Sequence, residues 1–221
     1  MSLQNSLPEY MDHINQSLSW RYATKQFNPS QKVSEESLGA LLNALHLSPS
    51  SFGLQPWKFI VVSDPALREK LREHSWNQPQ VVEASHLIVL ACARSVTPAF
   101  VDEHLEHMAQ IRSISIESLT PYRNIILPFI QNLTDSGSME AWTARQTYLA
   151  LGMLLSTAAF LRIDTCPLEG ISPSNYDDLL GLESSNFTTK VACAIGYRSS
   201  DDSNAGAKKV RAPIEQVIVR R

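Results

Sequence analysis

The sequence predicts a mixed α and β fold. Three observations carry the prediction. Short β-branched runs, such as Lys58–Val62 and Val191–Tyr197, sit between longer segments with helical period. One apolar segment, Trp142–Leu161, has the length of a core helix rather than a strand. The 221 residues are 43% apolar and 19% charged, enough to bury a sizeable core.

The elements follow in order. Met11, Ile14 and Leu18 recur at helical spacing, so residues 7–22 read as a helix, and Asn28-Pro29 is a breaker. Ser34 is a candidate N-cap for a second helix. Glu35 and Glu36 favour the positive end of its dipole, and Leu38, Leu41, Leu42 and Leu45 form its apolar face. It ends at Ser48–Ser51, because a residue before proline avoids the helical region. Lys58–Val62 reads as a strand and Pro65–His74 as a charged surface helix with proline in its first turn. His86–Ala93 is nearly all apolar, which predicts a strand buried on both faces.

Between residues 97 and 135, Val101, Leu105 and Met108 predict one helix, and Ile125, Ile126, Phe129 and Ile130 another. Thr134–Ser138 is a loop that caps a long helix over 139–162, expected to be buried all round. A short helix near 173–182 precedes the strand Val191–Tyr197. Ser199–Ala207 is a polar surface loop, and the alternating tail Ile214–Val219 reads as a fourth strand. No linker divides the chain, so residues 1–221 are expected to form one domain.

Composition narrows the function. The net charge of −3, with no basic stripe, argues against a nucleic-acid partner. Three widely spaced cysteines, Cys92, Cys166 and Cys193, fit reduced thiols in a cytoplasm better than a disulfide scaffold or zinc ribbon. The N-terminus M-S-L-Q-N-S-L-P-E-Y has neither the basic nor the apolar region of a signal peptide. Arg145 and Gln146 interrupt the apolar segment, leaving it short of the ~20 residues a bilayer requires.

Several chemistries lack their residues. The eight glycines form no G-x-G, which removes the dinucleotide fingerprint; G-x-x-x-x-G-K and G-x-S-x-G are absent too. His104 and His107, with Glu103 and Glu106, read as a solvated helix face rather than a metal site, for want of a third ligand. His86 reads as a structural hydrogen-bonding group, and Cys92 and Cys193 as inert strand thiols. With no evident nucleophile or metal, either the chain does no chemistry or a bound cofactor carries it.

Two cation pairs raise the second possibility. Arg21 and Lys25 lie in W-R-Y-A-T-K-Q-F-N-P, and Lys209 and Arg211 lie two apart in A-K-K-V-R-A-P. On an extended segment the second pair points one way. Together they could hold one phosphate; on spacing alone, scattered solvated cations are the alternative. S-P-S-S-F-G-L-Q-P-W, Ser48–Trp57, reads as a turn-rich lip over a planar ligand or as a plain loop. C-P-L-E-G, Cys166–Gly170, puts a glycine where backbone could approach a ligand, or is an ordinary connection.

In this order these stretches resemble the nitroreductase family of flavoproteins, most closely its oxygen-insensitive NAD(P)H nitroreductases and dihydropteridine reductases. The motifs are R-Y-A-T-K-Q-F, S-P-S-S-x-x-x-Q-P-W-K-F-I-V, E-A-S-H-L-I-V, Q-T-Y-L-A-L-G, P-L-E-G and K-K-V-R-A-P. They run from residue 21 to 213, with a poor match between about 97 and 135.

The resemblance implies an α+β fold, with a central, mainly antiparallel sheet flanked by helices. The long helix 139–162 would be both core and dimer interface, and the tail from Ile214 would add to the partner. It implies one FMN per site, bound without covalent attachment at the interface of a homodimer, with NAD(P)H as electron donor. Arg21, Lys209 and Arg211 would hold the phosphate. Lys25 would reach the ribityl chain and ring near N1 and O2, flanked by Tyr22 and Ala23. Asn77 would bond the pyrimidine edge, with Gln80 nearby. Pro167 and Leu168 would lead to the amides of Glu169 and Gly170, facing N5 and O4. Pro49, Ser50, Ser51 and Gly53 would come from the partner chain. No catalytic side chain is implied: hydride passes through flavin N5 to a second substrate in the same pocket, by ping-pong kinetics.

The chain also departs from the pattern. Ala23 stands where many relatives have Ser, and Gln80 where close relatives have Lys. Phe52 and Gly53 replace small polar residues at the lip, which implies flat apolar acceptors such as nitroaromatics or quinones. Phe129 is expected either over the substrate or in the core. The competing expectations are a narrower acceptor (a dihydropteridine or an enone) and, from another class, a non-catalytic helical dimerisation protein.

Overall fold

The computed structural model describes residues 7–221; residues 1–6, part of the segment read above for leader character, lie outside the described residues. Four strands form one sheet: β1 (Trp57–Val62), β2 (His86–Ala93), β3 (Asp164–Leu168) and β4 (Phe187–Gly196). Their order is β1-β2-β4-β3, and every neighbouring pair is antiparallel. The central strands are almost wholly buried, as the apolar run His86–Ala93 predicts.

Alternation along those strands sends successive side chains to opposite faces. Ile88, Leu90, Val191, Cys193 and Ile195 meet α2 (Glu35–His46) and α7 (Met139–Phe160) on one side. Leu87, Val89, Ala192 and Ala194 meet Leu71 of α3 (Pro65–Glu73), Val81 of α4 (Gln80–Glu83) and Tyr176 of α8 (Pro173–Leu179) on the other. A third cluster packs Val101 and Leu105 of α5 (Pro98–Arg112) and Ile126 and Ile130 of α6 (Thr120–Asp135) against Trp142.

The end signals act locally. Ser34 caps α2 by accepting from the Ser37 amide at 3.2 Å. Asp64 caps α3 by accepting from the Ala66 amide at 2.9 Å, with Pro65 in the first turn. The first helix, α1 (Leu7–Trp20), stops right before Arg21, eight residues ahead of the Asn28-Pro29 breaker.

Two expectations about the sheet are corrected. The tail Ile214–Val219 is no strand: Ile214–Val217 form the short helix α9, and Ile214, Val217, Ile218 and Val219 are exposed. Its alternation meets no sheet edge within the chain, and a strand without a partner leaves its backbone unpaired. The fourth strand is instead β3, which holds Asp164 and Pro167 and does not look like a strand. It forms because β4 offers an edge, and an edge tolerates proline.

The long helix is not buried all round either. Ten of its residues are buried, yet Arg145, Tyr148, Leu149, Gly152 and Met153 form an exposed stripe at helical spacing. On α1 the periodic residues Met11, Ile14 and Leu18 are exposed as well, and only Ser17 is buried.

Candidate functional site

The loop after α1 lies along the edge of β3. Ala23 bridges Thr165 in parallel, the Thr24 amide donates to the Thr165 carbonyl at 3.2 Å, and Phe27 bridges Arg198. Arg21, Tyr22, Ala23 and Lys25 thereby line one cavity of about 510 Å³ with Lys208, Lys209 and Arg211 from the C-terminal loop. The two cation pairs therefore converge, although nearly the whole chain separates them.

The electrostatics of this cavity are unbalanced. Lys209 donates to the Arg21 carbonyl, and burial together with the charges of Arg21 and Arg211 lowers its pKa. Arg21 Nε is buried without a hydrogen-bond partner among the described residues. Repelling cations and an unsatisfied donor are what an anion would relieve.

Two carboxylates hold the loops in place, and neither stands out in the sequence. Asp202 Oδ2 accepts from the Tyr22 hydroxyl at 2.8 Å, from the Lys25 amide at 2.8 Å and from the Gln26 amide at 3.2 Å. Burial alone would raise the Asp202 pKa; these donors and Asn204 outweigh it and hold the carboxyl well below the usual range. Burial and the bond to Asp202 push the Tyr22 hydroxyl up to about 12, so it stays a donor. Asp164, at the start of β3, takes Arg198 Nη2 at 2.6 Å and Nε at 2.9 Å. Arg198 stacks its guanidinium over Trp20 and Tyr22, 4.2 and 4.6 Å from the ring centroids.

Along β3, Pro167 and Leu168 form the edge pairing with β4, and Glu169 and Gly170 follow. The Glu169 carboxylate accepts from the Tyr148 hydroxyl on α7. The Gly170 carbonyl accepts from Gln78 Nε2 at 3.2 Å, which draws the 75–80 loop to this turn. A Cβ on Gly170 would lie 2.5 Å from Trp76 Cε3, so only glycine admits the indole there. Trp76 and Asn77 both have left-handed backbone, at φ 52° and 53°. Asn77 is exposed, whereas Gln80 is buried with Oε1 unpartnered among the described residues.

The lip of Pro49, Ser50, Ser51, Phe52 and Gly53 does not reach the cation cavity. It borders a separate cavity of about 430 Å³, lined by Phe52, Gly53, Met108, Arg112, Leu119 and Tyr122. The Ser51 amide donates to Gln146 Oε1 at 2.9 Å and the Gln55 amide to Ser50 Oγ at 2.8 Å. Phe52 is left-handed at φ 57°, a strained state for a side chain with a Cβ. Its carbonyl accepts from the Tyr122 hydroxyl at 3.1 Å. Its ring meets Tyr122 and Phe129 edge-on, at centroid distances of 6.2 and 5.2 Å, and Phe129 meets Trp142 in the same way.

The model of the Nitroreductase family matches residues 18–197, which hold α7, all four strands and the loop of Arg21 and Lys25, but end before the loop of Lys209 and Arg211. The chain belongs to the nitroreductase family. The major NAD(P)H-flavin oxidoreductase of Aliivibrio fischeri is 38% identical to it, over 90% of this chain and 94% of that one. A Bacillus subtilis protein provisionally described as a nitroreductase has the same fold, with a TM-score of 0.82 at 19% identity over 98% of this chain and all of that one. So has one from Exiguobacterium sibiricum 255-15, described in complex with FMN, with a TM-score of 0.76 at 20% identity over 94% and 97%.

In this nitroreductase, then, Arg21, Tyr22, Ala23, Lys25, Lys209 and Arg211 stand around one cavity. Glu169 and Gly170 lie beside the loop of Asn77 and Gln80, and the lip stands apart. Phe129 is wedged between Phe52 and Trp142 in the third core cluster, behind the lip. Sequence reading missed Asp164, Arg198, Asp202, Tyr148 and Trp76. The tandem aspartates Asp201-Asp202, inside a loop read as merely polar, and Tyr148 within Q-T-Y-L-A-L-G were the available signals.

Proposed function

We propose that this nitroreductase is an FMN-dependent NAD(P)H oxidoreductase that reduces nitroaromatics or quinones, working as a homodimer. One observation supports it above the rest: Arg21, Lys209 and Arg211 line one cavity with no carboxylate among its lining residues, and the buried Arg21 Nε has no hydrogen-bond partner among the described residues. A phosphate ester supplies the missing acceptors. The unpartnered Gln80 Oε1, buried near the Gly170 turn, fits the polar edge of a flavin ring in the same way.

FMN when bound supplies the redox chemistry, accepting a hydride from the nicotinamide and giving electrons to the second substrate. The chain's own residues bind and orient. Arg21, Lys209 and Arg211 anchor the phosphate end, and Lys25 brings a positive charge toward the ring. Asn77 and Gln80 would offer their amide groups to the pyrimidine edge. The Glu169 and Gly170 amides would face N5 and O4, and the Tyr148 hydroxyl steadies the Glu169 side chain. Donor and acceptor take the same position in turn, which makes the kinetics ping-pong.

The dimer reading rests on uncovered apolar surface. Met11, Ile14 and Leu18 on α1, Leu149 and Met153 on α7, and Ile214 to Val219 in the tail are all exposed. A face of this kind is covered by a second copy in a two-fold dimer, which also carries Pro49–Gly53 to the partner's ring. The three free cysteines are all buried, in keeping with a cytoplasmic setting. No helix among the described residues is long and apolar enough to cross a membrane.

The test is reconstitution. Purified protein with added FMN should bind about one flavin per chain, migrate as a dimer and oxidise NADH or NADPH with nitrofurazone or menadione. Initial rates should give parallel double-reciprocal lines. Failure to take up FMN would refute the reading; turnover of only a dihydropteridine or an enone would narrow it.

A further inference from the structure

We infer that the cavity between the Phe52–Gly53 lip and the α5–α6 pair is a subsite for the acidic substituent of an aromatic acceptor, with Arg112 as the group that recognises it. The inference rests on the oxidoreductase reading above, in which this lip borders the flavin ring.

Three observations carry it. The cavity, of about 430 Å³, is walled by Phe52, Met108, Leu119 and Tyr122, and Arg112 is its only charged lining residue. That volume suits a substituted one- or two-ring ligand. Next, Arg112 has neither an ion pair nor a side-chain hydrogen bond among the described residues. Arg123 on facing α6 makes the contrast, for Asp102 neutralises it with bonds of 2.5 and 2.9 Å. Finally, the aromatic wall is held in place. The Tyr122 hydroxyl pins the Phe52 carbonyl, and edge contacts run from Tyr122 through Phe52 and Phe129 to Trp142.

A flat ring can lie along that wall while its carboxylate meets the planar guanidinium fork in a bidentate pair. His104, beside Gly53, does not compete for the anion. Burial, reinforced by the charges of His107 and Arg112, lowers its pKa, so near neutral pH Arg112 is the cation at this lip.

The experiment compares 4-nitrobenzoate with its neutral counterpart 4-nitrobenzamide, using FMN-loaded protein and NADPH. Wild type should favour the carboxylate. Arg112→Gln should lower the carboxylate-to-amide ratio of kcat/KM about tenfold, mainly through KM, and Arg112→Lys should restore part of it. Calorimetric titration of the oxidised holoenzyme with benzoate, which is not reduced, should show the same loss of about tenfold in affinity. A ratio and a benzoate affinity unmoved by Arg112→Gln, or a wild type that prefers the amide, overturns the subsite and leaves the oxidoreductase reading intact. A wild type that binds FMN but reduces neither acceptor overturns the subsite, and one that takes up no FMN overturns both readings.

Discussion

The Tyr22 hydroxyl lies 2.8 Å from Asp202 Oδ2, across 180 positions of sequence. The same oxygen accepts the Lys25 and Gln26 amides, and Oδ1 accepts both nitrogens of Asn204. One carboxylate thus ties the loop of Arg21 and Lys25 to the loop of Lys209 and Arg211. The geometry of the cation cavity depends on an anion that is not among its lining residues.

Asp202→Asn should destabilise the protein by about 2 kcal/mol at pH 7, because an amide NH₂ would confront donors that now meet an ionised oxygen. The folded pKa lies below the unfolded value of ~3.9, so the contribution is complete above that value and fades as pH falls below it. Urea midpoints should therefore differ most at neutral pH, begin to close below about pH 4 and converge only as pH falls through the depressed folded pKa. A gap of constant size would show that the carboxylate's charge is not the cause.

Arg211→Gln should weaken FMN binding about tenfold or more and leave riboflavin affinity within about twofold, since riboflavin has no phosphate. Added salt should narrow the difference between wild type and variant. Flavin fluorescence titration reads both ligands. Equal losses for the two would mean that Arg211 does not contact the phosphate.

Gly196 and Gly170 should respond differently to alanine. A Cβ at Gly196 would stand 2.9 Å from Phe27 Cδ1 and 3.0 Å from the Ser85 backbone nitrogen, so the cost should be about 1–3 kcal/mol. At Gly170 the obstacle is the Trp76 ring, and Trp76 is 82% exposed and can swing away. Gly170→Ala should shift stability by less than about 0.5 kcal/mol and still impair FMN binding. Thermal unfolding and flavin titration separate the two effects.

Tyr148→Phe should slow flavin reduction by NADPH about fivefold, the worth of one lost hydrogen bond, with little change in unfolding temperature. Burial and the adjacent Glu169 keep the Tyr148 hydroxyl protonated, so it donates throughout the neutral range. The flavin absorption band should shift as the Glu169–Gly170 turn loosens. A variant with wild-type spectrum and rate would remove Tyr148 from the site.

Much of the fold was legible because its signals are local. The caps at Ser34 and Asp64–Pro65 and the apolar run of β2 act within a few residues of themselves. Where reading failed, the deciding partner was distant. Asp164–Leu168 has no strand-like pattern and became a strand on the free edge of β4, while Ile214–Val219 has the pattern and found no edge. The same holds for the site. Arg21 and Lys209 were visible as cations, but Asp202, Arg198 and Tyr148 gained a role only from what they touch.

By itself, then, the sequence determined the capped helices and the buried central strands, and through its ordered motifs the family this chain belongs to. Only the tertiary structure decided which carboxylate holds the two basic loops, which edge receives β3, and that the lip opens on a cavity of its own. The physical reason is range. Helical period and capping depend on neighbours along the chain, whereas an ion pair, a sheet edge or a cavity exists only once distant segments meet.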